Sequence, residues 1–470
     1  MPKSTLPDVD VEIQDGGLGL TSETPSGTHV KIGGCTGAQV GSYHFITKPD
    51  DVAEKLGSGP LAKACLDSMQ MGSKTIIAVV AAASMAGTVG NITHSGTGSA
   101  TYVTSGTPNN EYDVVIEVLS DGTLNEAQYR LSIDGGDNWL PKKTVPLDGA
   151  IEVSGTGVTV TFTAGVPAAG SFVTGDKYSL KTTAPAMSNA DFLAALSVVK
   201  NNNFSYEFIH VVGESAASLW AVCATEADAL EASHVPTFFV LEARNIDTAE
   251  TVDTYVQALV TEAGSFAKHP RISIVAARSE NADLNGLLVE SNGAGLYTGI
   301  LGKSKEHESP GKVMSYRLTP AMNIKPDGLT LEHIAMLDAA GYVTFRRYVD
   351  MSGIYVTNGR MMAPLGSDYE YVETRRIADK ASRRVRLAAL VYLQSEADAD
   401  GLANLKSHME APLDEMMSPD NKQLGGYLLT IDPEQDIITT ETLSVGLGLY
   451  PIPIMRWIYI KQRMMNPFAR

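Results

Sequence analysis

Apolar positions along this chain change their period several times, and each change marks a different kind of element. Near the start, Val9, Val11 and Ile13 alternate with Asp8, Asp10 and Glu12, the pattern of a half-buried strand. Pro2, Pro7 and Gly16-Gly17 isolate it from the rest of the chain. Such a strand needs a sheet to join, either as an edge of the protein's own sheet or by addition to a neighbouring subunit. Thr28–Ile32 reads as a strand, Asp50–Leu56 and Pro60–Gln70 as helices, and the unbroken apolar run KTIIAVVAAA from Lys74 as a buried central strand. From about residue 87 to 185 the chain turns to Gly, Thr, Ser and Val. Short runs at Val114–Val118, Gln128–Ile133, Val158–Phe162 and Lys177–Lys181 are separated by turn signals such as Asp134-Gly135-Gly136. That spacing predicts a small antiparallel β-sandwich, inserted into an α/β domain that resumes beyond it.

Past Ser188, strands and helices alternate. Helices are expected over Asn189–Lys200, Ser215–Ala232, Ala249–Phe266 and Leu329–Ala340, and strands over Tyr206–Val212, Thr237–Leu241 and Arg271–Ala276. The pattern implies a largely parallel sheet with helices on its faces. Gly293 to Gly311 is rich in glycine and charge and reads as an ordered loop. Tyr342–Tyr348 reads as a strand, and Ser367-Asp368 as the opening of a long helix. On that helix Ile377, Ala381, Val385, Ala388 and Tyr392 share a face expected to pack on the core. Arg375, Asp379, Arg383 and Arg386 share another, with Arg376, Lys380 and Arg384 beside them. The charges form either a solvated face partly paired with Asp379 and Glu373, or a contact surface for an acidic partner. Two closing strands, Asp436–Val445 and Ile454–Ile460, suit an arm or hairpin that completes a sheet.

Composition narrows the function. The 470 residues carry a net charge of −18, which argues against a general nucleic-acid binder. Against that background the arginines after residue 374 stand out. The three cysteines, Cys35, Cys65 and Cys223, lie far apart and read as buried free thiols made in a reducing compartment, not as a zinc site. No apolar leader opens the sequence and no apolar run reaches about 18 residues, so neither secretion nor membrane insertion is expected.

Three motifs carry possible chemistry. Gly213-Glu214-Ser215-Ala216-Ala217 follows a strand and precedes a helix, as a nucleophile elbow does, and makes a serine hydrolase using Ser215 the alternative reading. Asp247 or Asp253 with His269 would keep the triad order; an N-cap serine explains the motif without catalysis. Gly302-Lys303-Ser304 resembles the end of a phosphate loop, but Tyr297 stands where the first glycine belongs. Asp134 and Asp137 could hold calcium or simply form Asx turns. The nine histidines form no ligand pair. No cofactor, metal or enzymatic activity is expected.

Taken together, the chain resembles the contractile-tail sheath proteins of bacteriophages and related injection machines. The resemblance lies in the N-terminal PDVDVEIQDGGLGL; in Leu56-Gly57-Ser58-Gly59-Pro60-Leu61 followed by KTIIAVVAA; and in Gly359-Arg360-Met361, Ser367-Asp368-Tyr369 and the helix bearing Arg375-Arg376, Asp379-Lys380 and Arg383-Arg384-Val385-Arg386. The closing Asn466-Pro467 also fits. The resemblance implies an α+β multidomain fold: an N-terminal arm over residues 1–20; an α/β sheath domain with a mixed sheet over 21–86 and 187–340; a surface-exposed β-sandwich over 87–186; and a tube-facing α+β domain over 341–470 ending in a β arm. It implies a structural subunit that stacks as hexameric rings around an inner tail tube and contracts to drive that tube through an envelope. Baseplate and tail terminator proteins would be further partners, without direct nucleic-acid contact. The machine would be a virion tail assembled in the host cytoplasm. Arg375, Arg376, Lys380, Arg383, Arg384 and Arg386 are then expected to face the tube. Val9, Val11, Ile13, Ile454, Trp457, Ile458 and Ile460 are expected to add to sheets of neighbouring subunits.

Overall fold

The computed structural model describes residues 26–464 apart from 248, 285 and 433. The arm positions Val9, Val11 and Ile13, and Asn466-Pro467, lie outside the described residues. The chain folds as mixed α+β, around a seven-stranded sheet. Its order is Tyr342–Val343, Ile272–Val275, Phe238–Ala243, Phe208–Ser215, His29–Gly33, Ile76–Val80 and Tyr43–Ile46. All neighbours pair in parallel except the last, where Tyr43 opposes Val79 in an antiparallel edge. Ile76–Val80 is buried at every residue because helices cover both faces, which is why its sequence is apolar without alternation. On one face lie helices Asn189–Asn201, Ala217–Ala232, Val252–Ser265 and Leu331–Ala340, packed around Trp220, Phe239 and Tyr255. On the other lie helices Pro60–Gln70 and Ala294–Lys303, around Leu61, Cys65, Leu296 and Ile300.

The helix Ala294–Lys303 corrects the loop expected at 293–311. Nine of its ten residues are buried. Its glycines are there for proximity to the helix Pro60–Gln70. A Cβ on Gly295 would stand 2.8 Å from the Asp67 Cβ, and one on Gly299 2.6 Å from the Met71 Cβ. Glycine in this helix therefore accepts a propensity cost of about 1 kcal/mol per residue so that two helices can touch.

Residues 93–181 form two antiparallel sheets of three and five strands around a common core that includes Ile116, Val160, Phe162 and Tyr178. Three further short strands, Arg278–Ala282, Leu288–Asn292 and Asn323–Lys325, make a small sheet beside the body. The expected strand Tyr342–Tyr348 is divided: Tyr342–Val343 closes the large sheet, and Phe345–Tyr348 pairs instead with Met351–Val356. At the C-terminal end, helix Val372–Leu390 packs on helix Ala399–Met417 and on the hairpin Leu424–Ile431/Val445–Pro451 through Ile377, Ala381, Leu413, Met416 and Leu424. The long helix starts at Val372 with no side-chain cap, so Ser367-Asp368 lies in the turn before it. The strand expected at Asp436–Val445 is also corrected: Ile437–Thr440 is a short helix, and the strand begins at Val445.

Candidate assembly surfaces

The helix Val372–Leu390 carries eight charged residues among its nineteen, and its first half is buried. Arg376 is about 1% exposed. Its guanidinium forms a fork with the carboxylate of Glu207, donating at 3.0 Å to Oε2 and also through Nε to Oε1. Its remaining N–H groups reach the Leu301 carbonyl at 2.8 Å and Ser304 Oγ at 2.9 Å. Asp379 accepts from Arg271 at 3.0 Å and 3.2 Å and from Arg375 at 2.5 Å. Arg375 also lies over the ring of Tyr369. Lys380 pairs with Glu306 at 2.8 Å. Burial pushes the Glu306 carboxyl up, but Arg376 and Lys380 outweigh it and hold the group at about 2. Fully desolvated charges survive only when paired in this way.

These contacts correct one expectation from the sequence. Arg375, Arg376 and Lys380 are bound inside the subunit and present no free surface. Arg383 is half-buried and donates to the carbonyls of Tyr206 and Pro236, the first at 2.6 Å. Arg384 pairs with Glu415 at 3.1 Å. Of the six, Arg386 alone is exposed. The periodicity showed which residues share a face, but not that the second face also meets a wall of carboxylates from elsewhere in the chain. Glu207 and Glu306 carry no sequence signal of that role.

The C-terminal segment has the opposite character. Residues 452–464 form no strand, which corrects the one expected over Ile454–Ile460. Trp457 is 83% exposed, Ile458 75% and Ile460 81%, while Ile454 is partly buried. One residue tethers the segment. Arg456 pairs with Glu373, donates to Asn358 Oδ1 at 3.0 Å and sits 3.4 Å above the ring of Tyr371. Beside it the hairpin Leu424–Ile431/Val445–Pro451 is a sheet of two strands, with both outer edges unpaired among the described residues. Unpaired edges of this kind template the addition of further strands.

The candidate chemical sites resolve differently. Ser215 ends its strand with Oγ donating to the Glu242 carbonyl at 2.6 Å and accepting from Trp220 Nε1 at 2.9 Å. His269 is bound to Asp228. Among the described residues no imidazole bonds this hydroxyl, so the triad order read from the sequence is not assembled around Ser215. Lys303 closes a helix, where carbonyls gather, whereas a phosphate loop needs the N–H groups of a helix start. Asp134 accepts from Ser132 and Asn138 as an Asx-type turn, and Asp137 pairs with Lys325 at 3.6 Å. Among the described residues no group of three or more His, Cys, Asp or Glu side chains could hold a metal ion, and no helix is long and apolar enough to cross a membrane. A buried chain of Lys31, His210 and Glu242, with links of 2.7 Å and 2.9 Å, is the most reactive-looking cluster. Burial drives Lys31 down to about 8 and Glu242 up to about 7. The cavity that reaches Glu242 holds only about 60 Å³, room for roughly two waters.

Comparison with known proteins places the whole chain. Residues 6–360 match the N-terminal domain of DUF2586, and residues 368–469 match its C-terminal domain. The chain belongs to the DUF2586 family. A candidate tail sheath protein of Haemophilus phage HP1 (strain HP1c1) is 29% identical over 206 residues, 40% of this chain. The match spans about half, 51%, of that relative's length. Among solved structures, the helical sheath of the anti-feeding prophage in its contracted state superposes with a TM-score of 0.57 at 12% identity, covering 98% of this chain and 100% of the other. The contracted PVC sheath complex of an extracellular contractile injection system gives 0.56 at 11% identity, with both chains fully covered. The DUF2586 chain thus has the fold of contractile sheath proteins.

Proposed function

We propose that this protein is the structural subunit of a contractile tail sheath, stacked as hexameric rings around an inner tail tube. The observation that carries the reading is the exposed apolar run Trp457–Ile460, tethered at Arg456 beside an open-edged hairpin, on a chain whose described residues have the sheath fold. An apolar run left on the surface beside an unpaired sheet edge suits a strand that completes the sheet of another subunit. Ile454, Trp457, Ile458 and Ile460 supply that strand at one end of the chain, and Val9, Val11 and Ile13 at the other. The paired interior keeps each subunit rigid while the arms maintain the lattice, so that subunits rotate as bodies during contraction. Arg383, Arg384 and Arg386 are what remains of the tube-facing set, and a tube of acidic surface fits them. Baseplate and terminator proteins cap the two ends of the polymer, which is built in the host cytoplasm and carried on the virion tail. The domains follow the sequence boundaries, with the β-sandwich of 87–186 displayed outward.

Negative-stain microscopy of the purified full-length chain tests the reading. Tubular polymers of sheath width are expected. A preparation that stays in small closed oligomers across concentration and salt would overturn it.

A further inference from the structure

Helix Pro60–Gln70 meets the strand Arg278–Ala282 at three buried polar side chains. Lys63, Asp67 and Asn281 are 5%, 1% and 0% exposed. Asp67 Oδ1 accepts from Lys63 Nζ at 2.5 Å and from Asn281 Nδ2 at 2.5 Å. One carboxylate oxygen thus holds an amine and an amide nitrogen within about 5 Å of each other. The other end of the amide is held too: Ser291 Oγ donates to Asn281 Oδ1 at 3.2 Å. Amine, carboxylate, amide and hydroxyl therefore follow one another in contact.

The setting excludes bulk water. Helix Ala294–Lys303 closes over Asp67, where a Cβ on Gly295 would stand 3.0 Å from Asp67 Oδ2. A cavity of about 60 Å³ touches Lys63, Asp67 and Ser291, with room for roughly two waters or for an ammonia of similar size. Burial raises the Asp67 carboxyl above its ordinary range, against the pull of Lys63, which readies it to take a proton from the amine beside it. An uncharged amine is a nucleophile, whereas an ammonium is not. Lys31, also buried, bonds His210 and Thr298, neither of which offers a carbonyl carbon to attack.

We propose that Lys63 and Asn281 join in an intramolecular isopeptide bond, with Asp67 as the proton carrier and Ser291 polarising the amide carbonyl. Asp67 removes a proton from the Lys63 ammonium. The flexible stem of Lys63 swings the freed Nζ onto Asn281 Cγ, and the carbonyl oxygen gathers charge against Ser291 Oγ. The Cγ–Nδ2 bond breaks as Asp67 returns its proton to Nδ2, and the second proton lost by Nζ follows to the departing nitrogen. Ammonium leaves, Nζ keeps one hydrogen as the new amide N–H, and Asp67 ends as the carboxylate it was. The bond ties the helix that precedes the β-sandwich to a strand that follows it, so the sandwich and four strands of the large sheet lie within one covalent loop. Closing so long a loop restrains the unfolded chain. The bond goes beyond the sheath reading and does not depend on it.

Mass spectrometry of the purified full-length chain tests the proposal. Its intact mass is expected to lie about 17 Da below that of the sequence, one ammonia lost. After denaturation and trypsin, the peptide 56–74 should appear linked to the peptide 279–303, because Lys63 in the bond no longer directs cleavage. Asn281→Ala and Asp67→Asn should each return the mass of their own sequence and leave the two peptides separate. A parent chain of full mass overturns the bond whatever the variants do. So does the same loss without linked peptides, as a succinimide at an Asn-Gly pair gives, and so do linked peptides that persist in either variant.

Discussion

Two stretches of the C-terminal region invert the usual rule of burial. Val372–Ala381 is dense in charge and lies inside, with Glu373, Arg375, Arg376, Asp379 and Lys380 all buried. Met455–Ile460 is largely apolar and lies outside, with Trp457, Ile458 and Ile460 at least 75% exposed. Burial of the first is tolerable because each charge meets its opposite across an element boundary: Arg376 with Glu207, Lys380 with Glu306, Asp379 with Arg271. Exposure of the second has no such compensation among the described residues. The difference teaches how the molecule divides its surfaces. Charge fixes the helix to the body of the same subunit, and the apolar segment stays open for the second chain that the proposed function gives it.

The sharpest way to break this contrast is to unpair the inside. Arg376→Met leaves Glu207 charged and buried, and also strips donors from the Leu301 carbonyl and Ser304. Breaking a buried pair on one side costs about 3–5 kcal/mol, so a loss of thermal stability of several degrees is expected by calorimetry. Replacing both partners, Arg376→Met with Glu207→Met, should recover much of it. A single variant as stable as the parent would mean that the pair is not buried in solution.

Acid gives a second approach to the same interior. The Glu306 carboxyl titrates at about 2 in the folded chain, against an ordinary value near 4.5. A lowered folded value means that the unfolded chain binds more protons between these limits. The stability from Glu306 is therefore complete above about pH 4.5 and lost as pH falls toward about 2. Glu306→Gln should lower stability at neutral pH by on the order of a few kcal/mol and flatten the acid limb of a pH–melting curve. An identical acid limb in parent and variant would show that other carboxylates carry the transition.

Much of this architecture was legible in the sequence, and the parts that were not share a cause. Alternation and apolar runs predicted the central strands, the two antiparallel sheets of 93–181 and the helices on one face of the large sheet, because burial there follows local period. Of the stripe expected on the long helix, Ile377, Ala381 and Val385 reach the core, whereas Ala388 lies outside that cluster and Tyr392 beyond the helix end at Leu390. The helix Ala294–Lys303 was not legible, since its glycines serve contact with Asp67 and Met71 more than two hundred residues earlier. The buried arginines were misread for the same reason. Their carboxylate partners at 207, 306 and 379 come partly from distant elements, and a lone sequence gives no pairing between them. Pairing also decides the final segment: Ile454–Ile460 has a strand's pattern but pairs with no strand among the described residues.

The outside of the comparison should respond in the opposite sense. Ile458→Ser with Ile460→Ser removes two exposed apolar side chains and should move subunit stability by no more than about 0.5 kcal/mol. Polymer formation should nevertheless be lost under the microscope. A variant that melts several degrees lower would place these side chains in the subunit's own core, and one that still forms tubes would relieve the segment of its assembly role.

The smallest effect belongs to Arg386, in the second half of the long helix. Its exposed guanidinium forms no ion pair among the described residues, so Arg386→Glu should leave the melting temperature within about a degree of the parent. Its effect should appear only when purified inner tube is added. An exposed cation facing an acidic partner contributes mainly to encounter and register, so tube-templated assembly should slow several-fold at low salt. The gap should close as ionic strength rises, because the Debye length falls to about 8 Å near 0.15 M and screens the contact. The buried Arg376 pair should show no such salt dependence. If Arg386→Glu slows templated assembly equally at all salt concentrations, the residue acts through shape and not charge. If it has no effect at any concentration, the tube docks elsewhere, and the second half of the helix is as internal in purpose as the first.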